Sequence, residues 1–421
     1  MKLITRARLL ALAFLAILLL ASSAWAQGKY KVLHAFQPER PTSEEGGLVL
    51  DAAGDLFGTT MYGGKYNEGQ VFKLTRTADG SWKESAIHNF GGYDGQFPAA
   101  GLVFDSAGNL YGTTYLGGAS GGGTVFKLTP TTRGGWRESV LHSFARSQDG
   151  WAPTASLIFD QSGDLYGTTP FSDGGQSYAG TVFKLSPNKD GSWSESVLYT
   201  FCSHSKCSDG ETPYANLAID TAGNLYGTTY YGGANNYGTV FQLTPNRDGS
   251  WSESVLYSFC SLADCYDGGF PYDGVIFDKA GNLYGTTSEW GAPPGAGVVF
   301  KLTPNNGTWS ESVLYTFCSR TGCTDGATPQ ANLAFDTAGN LYGTTSGGGN
   351  IQRCYNWGCG TVFKLAPNSK GEWNETVLHA FAVRPGIAPE AGVIFDSAGN
   401  LYGTTTGING NYVVAVFEIT P

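Results

Sequence analysis

Short apolar runs, broken by turns of Gly, Asn, Asp and Pro, recur along almost the whole chain, and residues 215–259 show the unit most clearly. Residues 216–220 (NLAID) form one run, a Thr-Ala-Gly-Asn turn follows, and residues 225–229 (LYGTT) form a second, which predicts two strands joined by a tight turn. Asp220 suits that turn because its carboxylate can accept from turn amides, and Gly223 because it reaches left-handed backbone without a side-chain clash. A glycine-rich loop at 230–237 leads to a third strand at 238–244 (GTVFQLT), and a Pro-Asn-Arg-Asp-Gly turn leads to a fourth at 251–259 (WSESVLYSF). Apolar residues do not alternate strictly: Val240 and Phe241 are adjacent, as are Leu256 and Tyr257. Both faces of the sheet therefore need covering, which sheets stacked around an axis provide and a lone open sheet does not.

The phrase Asp-x-x-Gly-(Asn/Asp)-Leu-(Tyr/Phe)-Gly-Thr-Thr occurs seven times, with its second glycine at Gly58, Gly112, Gly167, Gly227, Gly285, Gly343 and Gly403. A spacing of 54 to 60 residues fits one four-stranded propeller blade and exceeds most solenoid repeats. Complete fourth strands begin at Trp82, Trp136, Trp193, Trp251, Trp309 and Trp373, while the seventh copy ends after its third strand. Its missing strand is found at the N-terminus, where residues 30–36 (YKVLHAF) share Leu-His-Ala-Phe with residues 378–381. The expected fold is all-β, a seven-bladed β-propeller whose last blade is closed by the N-terminal strand, forming one domain over residues 27–421.

Residues 1–26 read as a signal peptide: Lys2, Arg6 and Arg8 precede the apolar run from Leu9 to Leu20, and Ala24-Trp25-Ala26 supplies a small-residue cleavage site. Twelve apolar residues fall short of the span of about 20 that a membrane helix needs. Cleavage leaves 22 basic against 35 acidic side chains, a net charge of −13. That balance argues against nucleic acid or an anionic membrane surface as partner, since both are held through clustered basic residues. The mature chain is expected to be exported, to the periplasm or beyond, with no membrane insertion, and to be a monomer.

Eight cysteines fall into four pairs of identical spacing: Cys202 with Cys207, Cys260 with Cys265, Cys318 with Cys323, and Cys354 with Cys359. In an exported chain such pairs predict short local disulfides, each adding about 2 kcal/mol through loop entropy. The alternative, a zinc site, would want closer pairs and reducing surroundings.

The phrases at residues 223–229 (GNLYGTT), 238–241 (GTVF) and 251–256 (WSESVL) resemble the Gloeo-Verruco (GloVer) tandem repeat of exported bacterial proteins, over nearly the whole mature chain. The resemblance implies an extracellular repeat protein and carries no activity to transfer. The resemblance also implies a C-terminal sorting anchor in many members; none is read in this sequence, so surface attachment is not expected.

The loops joining strands two and three, and those joining strand four to the next strand one, are expected on one face, where the four bridges would stiffen them. The candidate ligand-binding residues are the loop aromatics Tyr178, Tyr230, Tyr231, Tyr237, Trp290, Tyr355 and Trp357. Aromatics on a rigid, weakly charged rim suit the apolar faces of sugar rings, so a neutral glycan is one expected partner; an envelope protein is another, and simple cover for blade edges is the plain structural account. No catalytic, metal or cofactor set is expected. His34, His88, His142 and His379 take the strand position held elsewhere by Tyr199, Tyr257 and Tyr315, and read as packing residues; His204 alone lies in a loop. Gly118-Ala119-Ser120-Gly121-Gly122 matches a nucleophile elbow only on paper, because the elbow needs a strand-to-helix turn. Seven turn aspartates offer one carboxylate each, short of the six to eight oxygens calcium takes. The glutamates Glu84, Glu138, Glu195, Glu253, Glu311 and Glu375 are expected to guard the exposed outer edge. The reading is a secreted non-catalytic binding propeller. The alternatives are a glycan-active or lactone-active lyase or hydrolase, which would need Asp173, Glu211, Asp264, Glu289 or His204 to converge, and a purely structural extracellular protein.

Overall fold

The computed structural model describes residues 29–36, 46–172, 179–350, 354, 358–383, 386–406 and 414–420. The expected signal segment and Asp173, Tyr178, Tyr355 and Trp357 lie outside them. Seven four-stranded antiparallel sheets follow one another in chain order, a seven-bladed propeller. Blade 4 is typical, with strands Ala218–Ile219, Leu225–Thr229, Thr239–Pro245 and Trp251–Ser258. The first strand is two residues long where the sequence suggests five, because Asp220 is drawn into the turn and Asn216 lines the central channel. In blade 7, Ile394–Phe395, Leu401–Thr405 and Ala415–Thr420 are completed by Lys29–Ala35, which pairs with Ala415–Thr420.

A β-bulge explains the broken alternation. In blade 4, Val240 opposes Tyr257 but Phe241 opposes Val255, so Leu256 is the extra residue and the strand turns there. The same shift occurs in the other blades, and in the N-terminal strand it falls at Leu33, between Val32 and His34. That strand is thus a true fourth strand in register as well as in sequence.

Each blade is covered on both faces by its neighbours. Leu225, Phe241 and Leu243 pack toward blade 3, while Tyr226, Val240 and Phe259 pack toward blade 5. One edge-on phenylalanine pair sits at every junction, from Phe90 and Phe126 through Phe381 and Phe417 to Phe36 and Phe72, with centroids 4.8 to 5.3 Å apart. The Trp that opens each fourth strand meets a Tyr or Phe of the preceding blade's second strand, as Trp251 meets Tyr166 and Trp82 meets Tyr402.

The repeated phrase supplies the scaffold at atomic level. The Asp220 carboxylate accepts from the amides of Ala222 and Asn224, and from the Asn224 side chain and the Tyr226 hydroxyl. Thr228 donates to the carbonyl of Asp273 in the next blade, and Thr229 to Tyr231 within its own. A Cβ on Gly227 would stand 2.7 Å from the ring of fully buried Phe241. Gly227→Ala is therefore expected to destabilise by about 1–3 kcal/mol through overpacking, outweighing the usual gain in chain stiffness. Thermal unfolding checks this, and an unchanged or raised melting point would count against it.

The strand-four glutamates do not guard the outer edge. They share a face with the Trp residues and turn into the blade junctions, where Glu138, Glu195, Glu253 and Glu311 each bury an oxygen without a hydrogen-bond partner and Glu375 is buried beside Arg320, 2.7 Å away. Burial is the main reason that all five carboxyls are pushed up to about 7.

Candidate functional site

Both loop classes do meet on one face. Glu211, before blade 4, exchanges two backbone hydrogen bonds with Tyr231 in that blade's loop between strands two and three, at 3.0 and 3.1 Å; Gly269 and Glu289 do the same in blade 5. The disulfides tighten this seam. The 3₁₀ turns Ser205–Cys207, Ala263–Cys265 and Thr321–Cys323 close three bridged loops, and the carbonyls of Cys207, Cys265 and Cys323 each accept from two glycine amides, one in each loop class. The fourth bridge, Cys354 with Cys359, braces the loop between strands two and three of blade 6. Cys202, Cys207 and Glu211 form the metal-type trio found among the described residues, but both sulfurs are held in a bridge and offer no thiolate.

Tyr230, Tyr231, Tyr237 and Trp290 are brought together there around Phe270. Its ring lies 5.2 Å from Tyr230, 5.6 Å from Tyr231 and 5.0 Å from Tyr237, and Tyr237 in turn lies 5.9 Å from Trp290. Phe270 has left-handed backbone (φ 58°), with its amide donating to Tyr237 and its carbonyl accepting from Ser288. Phe97, Ala152, Thr212, Thr328 and Ala388 repeat that conformation, each just before a proline. The twist belongs to the scaffold, and the side chain placed there can vary. Tyr231 is 36% and Trp290 43% exposed, whereas Tyr230 and Tyr237 are half-buried.

The band continues inward. Tyr272, 5.9 Å from Tyr230, stacks on Tyr214 at 5.4 Å and an interplanar angle of 17°, and both rings line the central channel, a cavity of about 620 Å³. In the channel wall the Asn216 amide accepts from the Ser156 backbone and donates at 3.0 Å to the carboxylate of Asp273, which also accepts from its own neighbour Gly274 at 2.7 Å. Asp273 is half-buried in the channel wall, and desolvation pushes its carboxyl up to about 6 despite these donors.

The loop acids and His204 do not form a comparable constellation. His204 and Asp264 are exposed in separate bridged loops, Glu289 is exposed beside Trp290, and Glu211 is half-buried, with its carboxyl raised by burial. Ser120 is exposed between two antiparallel strands, not in a strand-to-helix elbow. The strand histidines pack as expected: His379 stacks on Tyr30 at 3.8 Å and is lowered to about 4 by burial, while His88 and His142 reach Asp94 and Asp149.

The profile of the Gloeobacter/Verrucomicrobia repeat matches residues 22–218, 85–266 and 219–421. The chain belongs to the Gloeobacter/Verrucomicrobia repeat family. No curated protein matches this repeat chain in sequence. Among solved structures, a protein from Lactobacillus plantarum is similar, with a TM-score of 0.50 and 15% identity over 87% of this chain and 95% of its own, a likeness of fold alone. The four disulfides of this Gloeobacter/Verrucomicrobia repeat protein point to an oxidising compartment, extracellular or periplasmic, and no described helix is long and apolar enough to cross a membrane.

Reasoning from sequence missed Phe270, Tyr214, Tyr272 and Asp273. Their signal lies in the repeat before strand one, which reads Pro-x-Ala at Pro98-Ala99-Ala100, Pro153-Thr154-Ala155, Pro213-Tyr214-Ala215, Pro329-Gln330-Ala331 and Pro389-Glu390-Ala391. Pro271-Tyr272-Asp273 breaks it. The variable middle residue and the one charged residue at the third position both point at the channel mouth.

Proposed function

We propose that this propeller is an exported binding module that takes a neutral glycan across the aromatic band of blades 4 and 5. The observation that carries the reading is the unbroken run of rings from Trp290 through Tyr237, Phe270 and Tyr230 to the Tyr272–Tyr214 stack, set on loops braced by bridges. Flat rings held rigidly lose little entropy on binding, and sugar faces are apolar enough to stack on them. The net negative charge disfavours uronate-rich or sulfated polymers. Export is supported by the basic-then-apolar N-terminal segment and by the disulfides.

Calorimetric titration with dextran, laminarin and galactomannan tests the proposal. Binding of at least one is expected, weakened roughly tenfold by Tyr231→Ala or Trp290→Ala. Absence of binding to all three would overturn it. A second reading, a protein partner, is favoured by Leu262 and Tyr266, which stand 50% and 43% exposed in and beside the Cys260 to Cys265 loop and suit a protein surface better than a sugar.

A further inference from the structure

We propose that the central channel is an end pocket, holding the terminal residue of a neutral glycan chain whose following residues lie on the aromatic band. This rests on the glycan reading above and adds which part of the polymer is recognised. The cavity of about 620 Å³ falls among pockets that enclose small ligands, about 300–1,000 Å³. Its wall is uneven. Blades 1 and 2 contribute Gly47, Ala99, Ala100 and Gly101, whereas blades 3 to 7 contribute side chains that can bond hydroxyls, among them Ser156, Asn216, Gln330 and Asn332.

The propeller itself does not call for this polar arc. At the position of Asp273 the other six blades carry Gly46, Ala100, Ala155, Ala215, Ala331 and Ala391, and those blades close equally well. A carboxylate set into the innermost layer bears a desolvation penalty that alanine avoids. Here it is held in one orientation by Asn216 and Gly274, with Asn216 fixed in turn by Ser156. Such a preset run of acceptors and donors matches vicinal hydroxyls, and with Glu390 also in the wall it disfavours an acidic sugar.

The arc gives way to an apolar stretch. Further along the channel the wall becomes Val49, Ile158, Ile276 and Ile394, which offers a hydroxylated polymer nothing to bond. A chain that enters past the Tyr214 and Tyr272 stack therefore finds its hydroxyl partners only in the part of the channel nearer the stack.

The test compares dextran, laminarin or galactomannan, whichever binds, with its own partial acid hydrolysate at equal mass of sugar. End recognition makes binding rise in proportion to the number of chain ends. Asp273→Ala, which installs the residue used by most of the other blades, is expected to fold with an unchanged or higher melting point, to lose the rise of binding with chain ends, and to lose roughly tenfold in affinity for the hydrolysate. Asp273→Asn, which keeps the shape, separates lost charge from lost packing. Binding without any dependence on chain ends, or an Asp273→Ala protein that retains that dependence, overturns the end pocket and leaves the glycan reading standing. Failure of every polymer to bind removes both.

Discussion

Deleting residues 30–36 is expected to lower the melting temperature by more than about 10 °C and to make the protein prone to association. The segment supplies the whole outer strand of blade 7, and its removal leaves Ala415–Thr420, otherwise mostly buried, as a bare edge. It also strips out the packing at two junctions. Tyr30 stacks on His379 and lies edge-on to Phe381, while Leu33 and Phe36 are buried between blades 7 and 1, where Phe36 meets Phe72 at 5.1 Å. Loss of one such buried phenylalanine alone costs about 3–5 kcal/mol. Differential scanning calorimetry of the deletion and of Phe36→Ala, the milder variant, checks the expectation. An unchanged melting point in the deletion would show that the ring does not depend on this closure.

The second large effect is on pH. Glu138, Glu195, Glu253, Glu311 and Glu375 are raised to about 7 in the folded chain, and Asp273 to about 6, chiefly by burial. Unfolded, these carboxyls titrate near 4. Between those values the native state holds more protons than the unfolded state, so stability is full below the unfolded pKa and is lost as pH rises through the folded one. His34, His142 and His379 oppose this, because burial lowers them and their contribution is lost as pH falls below about 6.5. Burial raises Glu84 and Glu211 as well, so the carboxyls outnumber the three imidazoles and leave a net fall in stability from about pH 5 to pH 7. The melting temperature is accordingly expected to be several degrees higher at pH 5 than at pH 8. The triple variant Glu195→Gln, Glu253→Gln, Glu311→Gln, which mimics the protonated form at three junctions, should flatten the profile and raise the melting point at pH 8. A profile that climbs from pH 5 to pH 8 would refute the account.

Blade count, strand order and the borrowed strand were legible because each follows from recurring local pattern, and because the missing seventh fourth strand could be recognised in residues 30–36. Burial across junctions was less so. Glu253 looks like an edge residue when one blade is considered alone, and only stacking against blade 3 turns it inward beside Trp251, which meets Tyr166. The candidate site divided in the same way. Tyr230, Tyr231, Tyr237 and Trp290 stood out because their loops differ between copies, whereas Asp273 hides within the repeat, at a position where only alignment of all seven copies shows that it alone carries a charge. Convergence on an axis is a property of the closed ring, and a linear spacing does not display it.

The strand that seals the ring is the first part of the propeller to be synthesised, and its partner is the last. Lys29–Ala35 leaves the ribosome almost the entire chain ahead of Ala415–Thr420 and must wait unpaired until that segment arrives. A product cut short before Ala415–Thr420 cannot close and keeps an open strand for proteases or aggregation to find, while one that reaches that strand pairs both at once. The topology thereby acts as a check on the ring itself, admitting only chains that carry blade 7 through Ala415–Thr420.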